Sequence, residues 1–240
     1  MTSTVETISF GNLIIGFVPV VAVVGILLTW SLDAKYATYA IVRMLGQLLL
    51  IGYLLTTIFE TESSGLIVAI LVVMVFSSSW IALGTIKDNR RKLFKYALMS
   101  ISLGGFTSLA FVTQGVLGLS PWYFPQYVVP LAGMIFASSM NSVSLAAERL
   151  HAEMTRGMLY DQAKTIALKA ALIPVINAML AVGLVSIPGM MTGQILSDVS
   201  PLVAVRYQIM VMCMVFGASG ISAACFLVLV KSSSNEWSKT

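Results

Sequence analysis

Charge is scarce in this 240-residue chain. Asp, Glu, Lys and Arg together make up 10% of it, against 58% hydrophobic residues and a mean hydropathy of +0.93. A soluble domain needs a charged surface, so that class is excluded and lipid is the expected solvent. Histidine occurs once, at His151, and cysteine twice, at Cys213 and Cys225. The two cysteines lie twelve residues apart in one apolar stretch, which offers neither a C-x-x-C site nor a disulfide framework and predicts packing roles for both. There is no G-x-x-x-x-G-K-[ST] phosphate loop and no H-E-x-x-H, so nucleotide-driven work would need a separate ATPase and zinc-protease chemistry is absent. Tyr207 to Val230 holds no lysine for a retinal Schiff base. No aspartate falls within an expected span and the sole histidine falls outside them, which excludes an intramembrane protease. The chain reads as a non-enzyme.

What is present is long apolar runs. A helix needs about 20 mostly apolar residues to cross a bilayer, and such runs place seven spans at 8–30, 37–59, 65–86, 93–117, 127–147, 166–187 and 203–230. The fold class is therefore all-α and polytopic, one transmembrane domain over 1–240 with no room for a sizeable soluble domain. The first run, Thr7 to Leu32, carries no charge, follows no basic residue and is too long for a signal-peptide core, so it reads as a retained span. Tyr96 to Ala147 is uncharged but too long for one crossing; Gly118, Pro121 and Pro125 divide it, with Trp122, Tyr123 and Tyr127 as an interfacial belt.

The charges set an orientation. With the N-terminus outside and the C-terminus inside, Lys35, Arg43, the Lys87–Lys95 cluster, Arg149, Arg156, Lys164, Lys169, Lys231 and Lys239 all fall in the cytoplasm, and of fourteen basic residues only Arg206 falls outside. Glu6, Glu60, Glu62 and Asp198 occupy the opposite loops. Topology thus accounts for the net charge of +4 better than a nucleic-acid partner does. The segment 148–165 mixes both signs over helix-forming residues and is expected to extend a helix beyond the membrane, either as a contact for a partner or as a solvated helix end.

Within the spans, the fifth is rich in small and polar side chains. Gly133, Ala137 and Asn141 share a face there, alongside Ser138 and Ser142. Such residues let helices approach closely and bond across the contact, or they line a conduit. Asn177 follows Pro174, whose missing N–H frees the carbonyl of Ala170. Arg43 and Gln47 share a face near the inner interface, where Arg43 can snorkel. The fourteen methionines include Met134, Met140, Met190, Met191, Met210, Met212 and Met214. Thioethers suit soft ions but more commonly fill gaps. Met190 and Met191 follow Pro188-Gly189 at the outer face. No acidic residue stands ready within the bilayer to grip a bare cation.

Gly183-Leu184-Val185-Ser186-Ile187-Pro188-Gly189-Met190-Met191-Thr192-Gly193-Gln194-Ile195-Leu196, followed by Ser200-Pro201 and Arg206-Tyr207-Gln208-Ile209-Met210-Val211, resembles the FetB family of ABC permeases. So do Arg43-Met44-Leu45-Gly46-Gln47-Leu48 with Gly52-Tyr53, Pro130-Leu131-Ala132-Gly133-Met134-Ile135, and Ala170-Ala171-Leu172-Ile173-Pro174. The resemblance spans most of the chain from the second helix onward. It implies a bacterial inner-membrane permease subunit that exports iron or another metal ion as a homodimer. A separate cytoplasmic ABC ATPase would carry ATP-Mg, and this chain would bind no cofactor of its own. The residues themselves offer Ser138, Asn141, Ser142, Asn177, Met190, Met191, Gln194 and Arg206 as candidates for the transport path. The implied ATPase-coupling residues are Arg149, Glu153, Arg156, Gly157 and Asp161, the cytoplasmic segment acting as a helix inserted into a groove of the partner. Two features depart from the family: the cytoplasmic segment is short, with His151 where an E-A-A-x-x-x-G-like element begins with an acid, and Asp198 stands where relatives carry glycine. Two other readings stay open, an ABC permease for a nucleotide sugar or other metabolite, with Arg206 as an anion contact, and an ATPase-independent seven-helix scaffold or receptor.

Overall fold

A computed structural model describes residues 8–60, 63–86 and 90–233 of the chain; Glu6, Glu62, Lys87 and Lys239 of the charge argument lie outside them. The described residues form helices and hold seven that are long and apolar enough to cross a bilayer: Phe10–Thr29, Ala34–Leu55, Ser64–Ala82, Arg90–Val116, Pro125–Thr155, Tyr160–Ala181 and Pro201–Ser232. All seven expected spans are present. The chain divides into two compact units, residues 1–61 and 62–240.

The first unit contains α1 (Phe10–Ile15), α2 (Val18–Thr29) and α3 (Ala34–Phe59). Ser9 caps α1 by accepting from the Asn12 N–H at 3.2 Å. Pro19 stands in the first turn of α2, where its missing N–H costs no helical bond. The Asp33 carboxylate accepts from Tyr36 N at 3.0 Å at the start of α3, satisfying one of the donors a helix start leaves free. α2 packs on α3, yet no described side chain from Lys35 to Leu54 is buried. Leu48, Leu49 and Tyr53 are exposed, the arrangement lipid favours and water forbids.

The second unit contains α4 (Ser64–Ala82), α5 (Arg90–Ala110), α6 (Pro125–Thr155), α7 (Tyr160–Ala181), α8 (Gly189–Leu196) and α9 (Pro201–Leu229). α5 ends in a π-helical turn, Phe111–Val116, and α9 in a 3₁₀ turn, Val230–Ser233. α6 and α9 form the centre: α9 packs against α5, α6, α7 and α8, and α6 additionally against α4, α5 and α7. Both helices begin on proline, Pro125 and Pro201. The core between them is closed by Phe136, Phe226, Ile101, Ile135 and Leu227.

Lipid supplies no hydrophobic drive between helices, so small residues and close approach set the packing. Gly104 of α5 meets α9 so tightly that a Cβ there would fall on the Ser222 hydroxyl and lie 2.8 Å from the Ser222 nitrogen; Gly105 sits equally close to the Phe136 ring. Phe136 in turn stacks edge-on against Phe106, centroids 5.4 Å apart. Buried hydroxyls along these seams turn back onto their own helices, Ser78 and Ser79 to the Val75 carbonyl and Ser100 to Ala97.

Both boundaries of the sixth span differ from the expected ones. The sixth span begins at Tyr160 rather than 166 and ends at Ala181 rather than 187. At its start, Asp161 and Lys164 pair with each other one turn apart, so charge does not stop the helix. At its end, Gly183 adopts a positive φ of 81°, turning the chain while it is still apolar. The segment 148–165 is helical as expected but broken: α6 ends in a motif where Gly157 N–H reaches the Met154 carbonyl at 3.0 Å and Met158 N–H the Glu153 carbonyl at 3.2 Å, with Gly157 at φ +82°.

Candidate translocation and coupling sites

All five coupling candidates gather at one end of the second unit. Glu153, on the last turns of α6, is buried at 4% exposure. Its carboxylate accepts from Arg149 at 2.6 Å and from Arg156 at 3.4 Å. The arginine side chains are themselves 40% and 68% exposed, so one buried acid holds two guanidinium groups at the surface. The Arg149 Nε is buried and has no partner. Gly157 makes the turn, and Asp161 opens α7, where its carboxylate accepts from Lys164 at 3.1 Å and from Lys231, beyond α9, at 3.3 Å. Beside it the Tyr160 hydroxyl donates to the Leu227 carbonyl of α9. The start of α5 closes the same end, with Tyr96 3.4 Å from Ser232 and the Arg90 guanidinium 4.0 Å above the Trp80 ring. α5, α7 and the end of α9 are thus cross-linked by polar bonds where the basic residues collect, while the Glu153 clamp lies within α6.

Three cavities lie toward the opposite end, while a groove of about 840 Å³ between α5 and α9 lies nearer the coupling end. One of about 500 Å³ lies between the end of α7, α8 and α9 and is walled by Met179, Met191, Met212, Cys213 and Gln208 among others. A second, of about 560 Å³, lies between α5 and α9 and is bordered by Arg206, Met210, Cys213 and Met214. A third, of about 40 Å³, brings together Met134, Met190, Met210, Tyr127 and Tyr207. Gln208 is 6% exposed, and its Oε1 is buried without a hydrogen-bond partner, as is the Oε1 of Gln194 on α8.

The sequence-derived path residues separate on this map. Met190 and Met191, adjacent in α8, border different cavities, Gln194 is half-buried between them and α9's start, and exposed Arg206 borders the second cavity. Ser138, Asn141, Ser142 and Asn177 border none of these three. Ser138 bonds its own helix at the Ile135 carbonyl, 3.0 Å; Ser142 is buried, and Asn141 and Asn177 are exposed on α6 and α7. Cys213 corrects an expectation: it is exposed rather than packed, because its turn of α9 forms the ridge between two cavities. Met179 and Gln208 were not singled out from the sequence. A glutamine amid the apolar run of α9 was the available signal, whereas nothing distinguishes Met179 along the chain. Among the described residues no group of three His, Cys, Asp or Glu side chains stands ready to hold a metal, so any cation here meets thioethers, a thiol and neutral amides.

Comparison with known proteins fits this architecture. The profile described as "Uncharacterised protein family (UPF0014)" matches residues 10–234. A UPF0014 membrane protein of Synechocystis is 33% identical over 195 residues, 75% of each chain. The Escherichia coli protein named "Probable iron export permease protein FetB" is 30% identical over 82% of this chain and 81% of its own. The Arabidopsis thaliana "Protein ALUMINUM SENSITIVE 3" is 30% identical over 85% of this chain and 80% of its own. No solved structure matches the chain. With the profile covering residues 10–234 and the Escherichia coli and Arabidopsis relatives each aligned over more than four fifths of this chain, the chain belongs to UPF0014, a family of polytopic membrane proteins.

Proposed function

We propose that the chain is the membrane permease subunit of an ABC-type metal exporter, paired with a second copy and driven by a separate ATPase at the cytoplasmic side of a bacterial inner membrane. The observation that carries this reading is the similarity to the Escherichia coli iron export permease over four fifths of both chains. The coupling end supports it. A permease without a phosphate loop must receive ATP-driven movement through a rigid contact, and at this end the Glu153 clamp braces the last turns of α6 while the Tyr160–Leu227 bond ties α7 to α9. A partner can shift the permease only by binding its two states unequally, so contacts at Arg149 and Arg156 would be the means of transmitting that difference to α6 and α7.

Arg206 at the second cavity favours one alternative cargo, an anionic metabolite. Vesicles carrying the permease and its ATPase decide between them. ATP-dependent metal-ion movement, assayed with Fe(II) and with Cu(I), that vanishes with Arg156→Glu and without the ATPase is the expected result. ATPase stimulation without metal flux would move the cargo to the metabolite class, and the absence of both would overturn the permease reading.

A further inference from the structure

We infer that the cavity between α7, α8 and α9 is a binding site for a soft monovalent cation of the Cu(I) or Ag(I) class. The inference deepens the exporter reading and rests on it for its place in transport. Four of the twelve residues that wall the cavity carry sulfur, Met179, Met191, Met212 and Cys213, in a chain with fourteen methionines and two cysteines among 240 residues. They come from three separate segments, so the clustering is made by the fold and not by a methionine-rich run. The fifth donor is Gln208, whose Oε1 is buried and unpartnered. Leaving such a group without a partner is unfavourable, a cost a bound ligand removes.

The donor set selects the ion. Neutral thioethers and a thiol prefer soft d¹⁰ cations, whereas carboxylates and carbonyls suit hard ones, and no Asp, Glu or His borders this cavity. Desolvation selects the charge: the cost of bringing an ion into low dielectric rises with the square of its charge, so with no anion to compensate, a divalent ion costs about four times as much as a monovalent one. Cys213 also borders the second cavity beside Met210 and Met214, and Met190 borders the third with Met134 and Met210. Sulfur therefore continues from one cavity to the next along α9, as a path for the same ion would require.

The test uses the full-length permease in detergent or lipid nanodiscs, without any ATPase, so that its outcome is independent of the transport reading, which the vesicle experiment judges alone. Under anaerobic conditions Cu(I) is titrated against a colorimetric Cu(I) chelator. One Cu(I) per chain is expected, with no uptake of Fe(II) or Zn(II) at the same concentrations. Met191→Leu with Met212→Leu should weaken binding at least a hundredfold and Gln208→Leu about tenfold, while Met99→Leu with Cys225→Ser, on the far groove of α5 and α9, should leave it unchanged. X-ray absorption of Cu(I) bound to the unaltered protein should show sulfur neighbours, a readout that stands even where a variant fails to fold. Failure to compete with the chelator, a nitrogen- and oxygen-dominated absorption spectrum, or full binding by the folded double leucine variant would overturn the proposal.

Discussion

α3 and α5 both belong to segments apolar enough to cross a bilayer, and each carries a pair of glycines. At Gly46 and Gly52 of α3, an added Cβ would meet nothing within 4 Å, whereas at Gly104 and Gly105 of α5 it would strike α9 and α6. α3 is exposed along nearly its whole length within its own unit; α5 buries Leu93, Ala97, Ser100, Ile101, Gly104, Gly105 and Leu109. Apolarity alone puts a helix in lipid, and only small residues and shape decide what it then touches. α3 shows the first step by itself, and α5 shows both.

Gly104→Val should break that comparison most sharply. The neighbour it strikes is partly backbone, the Ser222 nitrogen and the Ala218 carbonyl at 3.1 Å, which cannot rotate away as a side chain would. Overpacking costs about 1–3 kcal/mol, and the upper end is expected here, read as a lower melting temperature in detergent with helix content retained. An unchanged melting temperature would mean that α5 and α9 are not in close contact.

Glu153→Ala tests whether the charged end of the second unit is as tightly specified as its core. Breaking a fully buried ion pair costs roughly 3–5 kcal/mol, but Arg149 and Arg156 are 40% and 68% exposed, so water compensates much of the loss and about 1–2 kcal/mol is expected. Glu153→Gln, which keeps the shape and an acceptor, should cost less. Equal losses for the two variants would show that the site depends on packing and not on charge.

Tyr160→Phe removes the hydroxyl that donates to the Leu227 carbonyl and keeps the ring, which lies 5.8 Å from the Lys231 ammonium. A single neutral hydrogen bond contributes about 1 kcal/mol, so a small drop in stability is expected, together with faster hydrogen exchange where α7 meets the end of α9. A change confined to α6 would place the link elsewhere.

These contrasts also explain what the sequence made legible. Seven spans follow from run length, and the division of the long stretch from Tyr96 to Ala147 follows from Gly118, Pro121 and Pro125, because hydropathy and chain-breaking residues act locally. The gathering of Arg149, Glu153, Arg156 and Asp161 at one end was legible for the same reason, since they fall within four turns of chain. α8 was not: Gly189–Leu196 is too short to announce itself by periodicity. The cavity walls were hidden more deeply. Helical spacing tells which residues share a face, but in a span apolar on every side it does not tell which face turns inward. Thus the polar face of Ser138 and Asn141 was visible in the sequence while the grouping of Met179, Met191 and Gln208 waited for three helices to be placed.

Gly46→Ala is the mildest test and bears directly on α3. In a water-exposed helix the exchange would stabilise by about 0.8–1 kcal/mol, because glycine has more unfolded freedom to lose. In a bilayer, α3 must keep its backbone bonds satisfied even when tertiary contacts are lost, so glycine has little of that freedom to begin with. With open space around the new methyl, a change within about 0.5 kcal/mol is expected. A loss of more than about 1 kcal/mol, the size of an overpacking penalty, would mean that the Gly46 face of α3 is covered by a close neighbour in the membrane, and a second copy of the chain would be the first candidate to probe by cross-linking at that face.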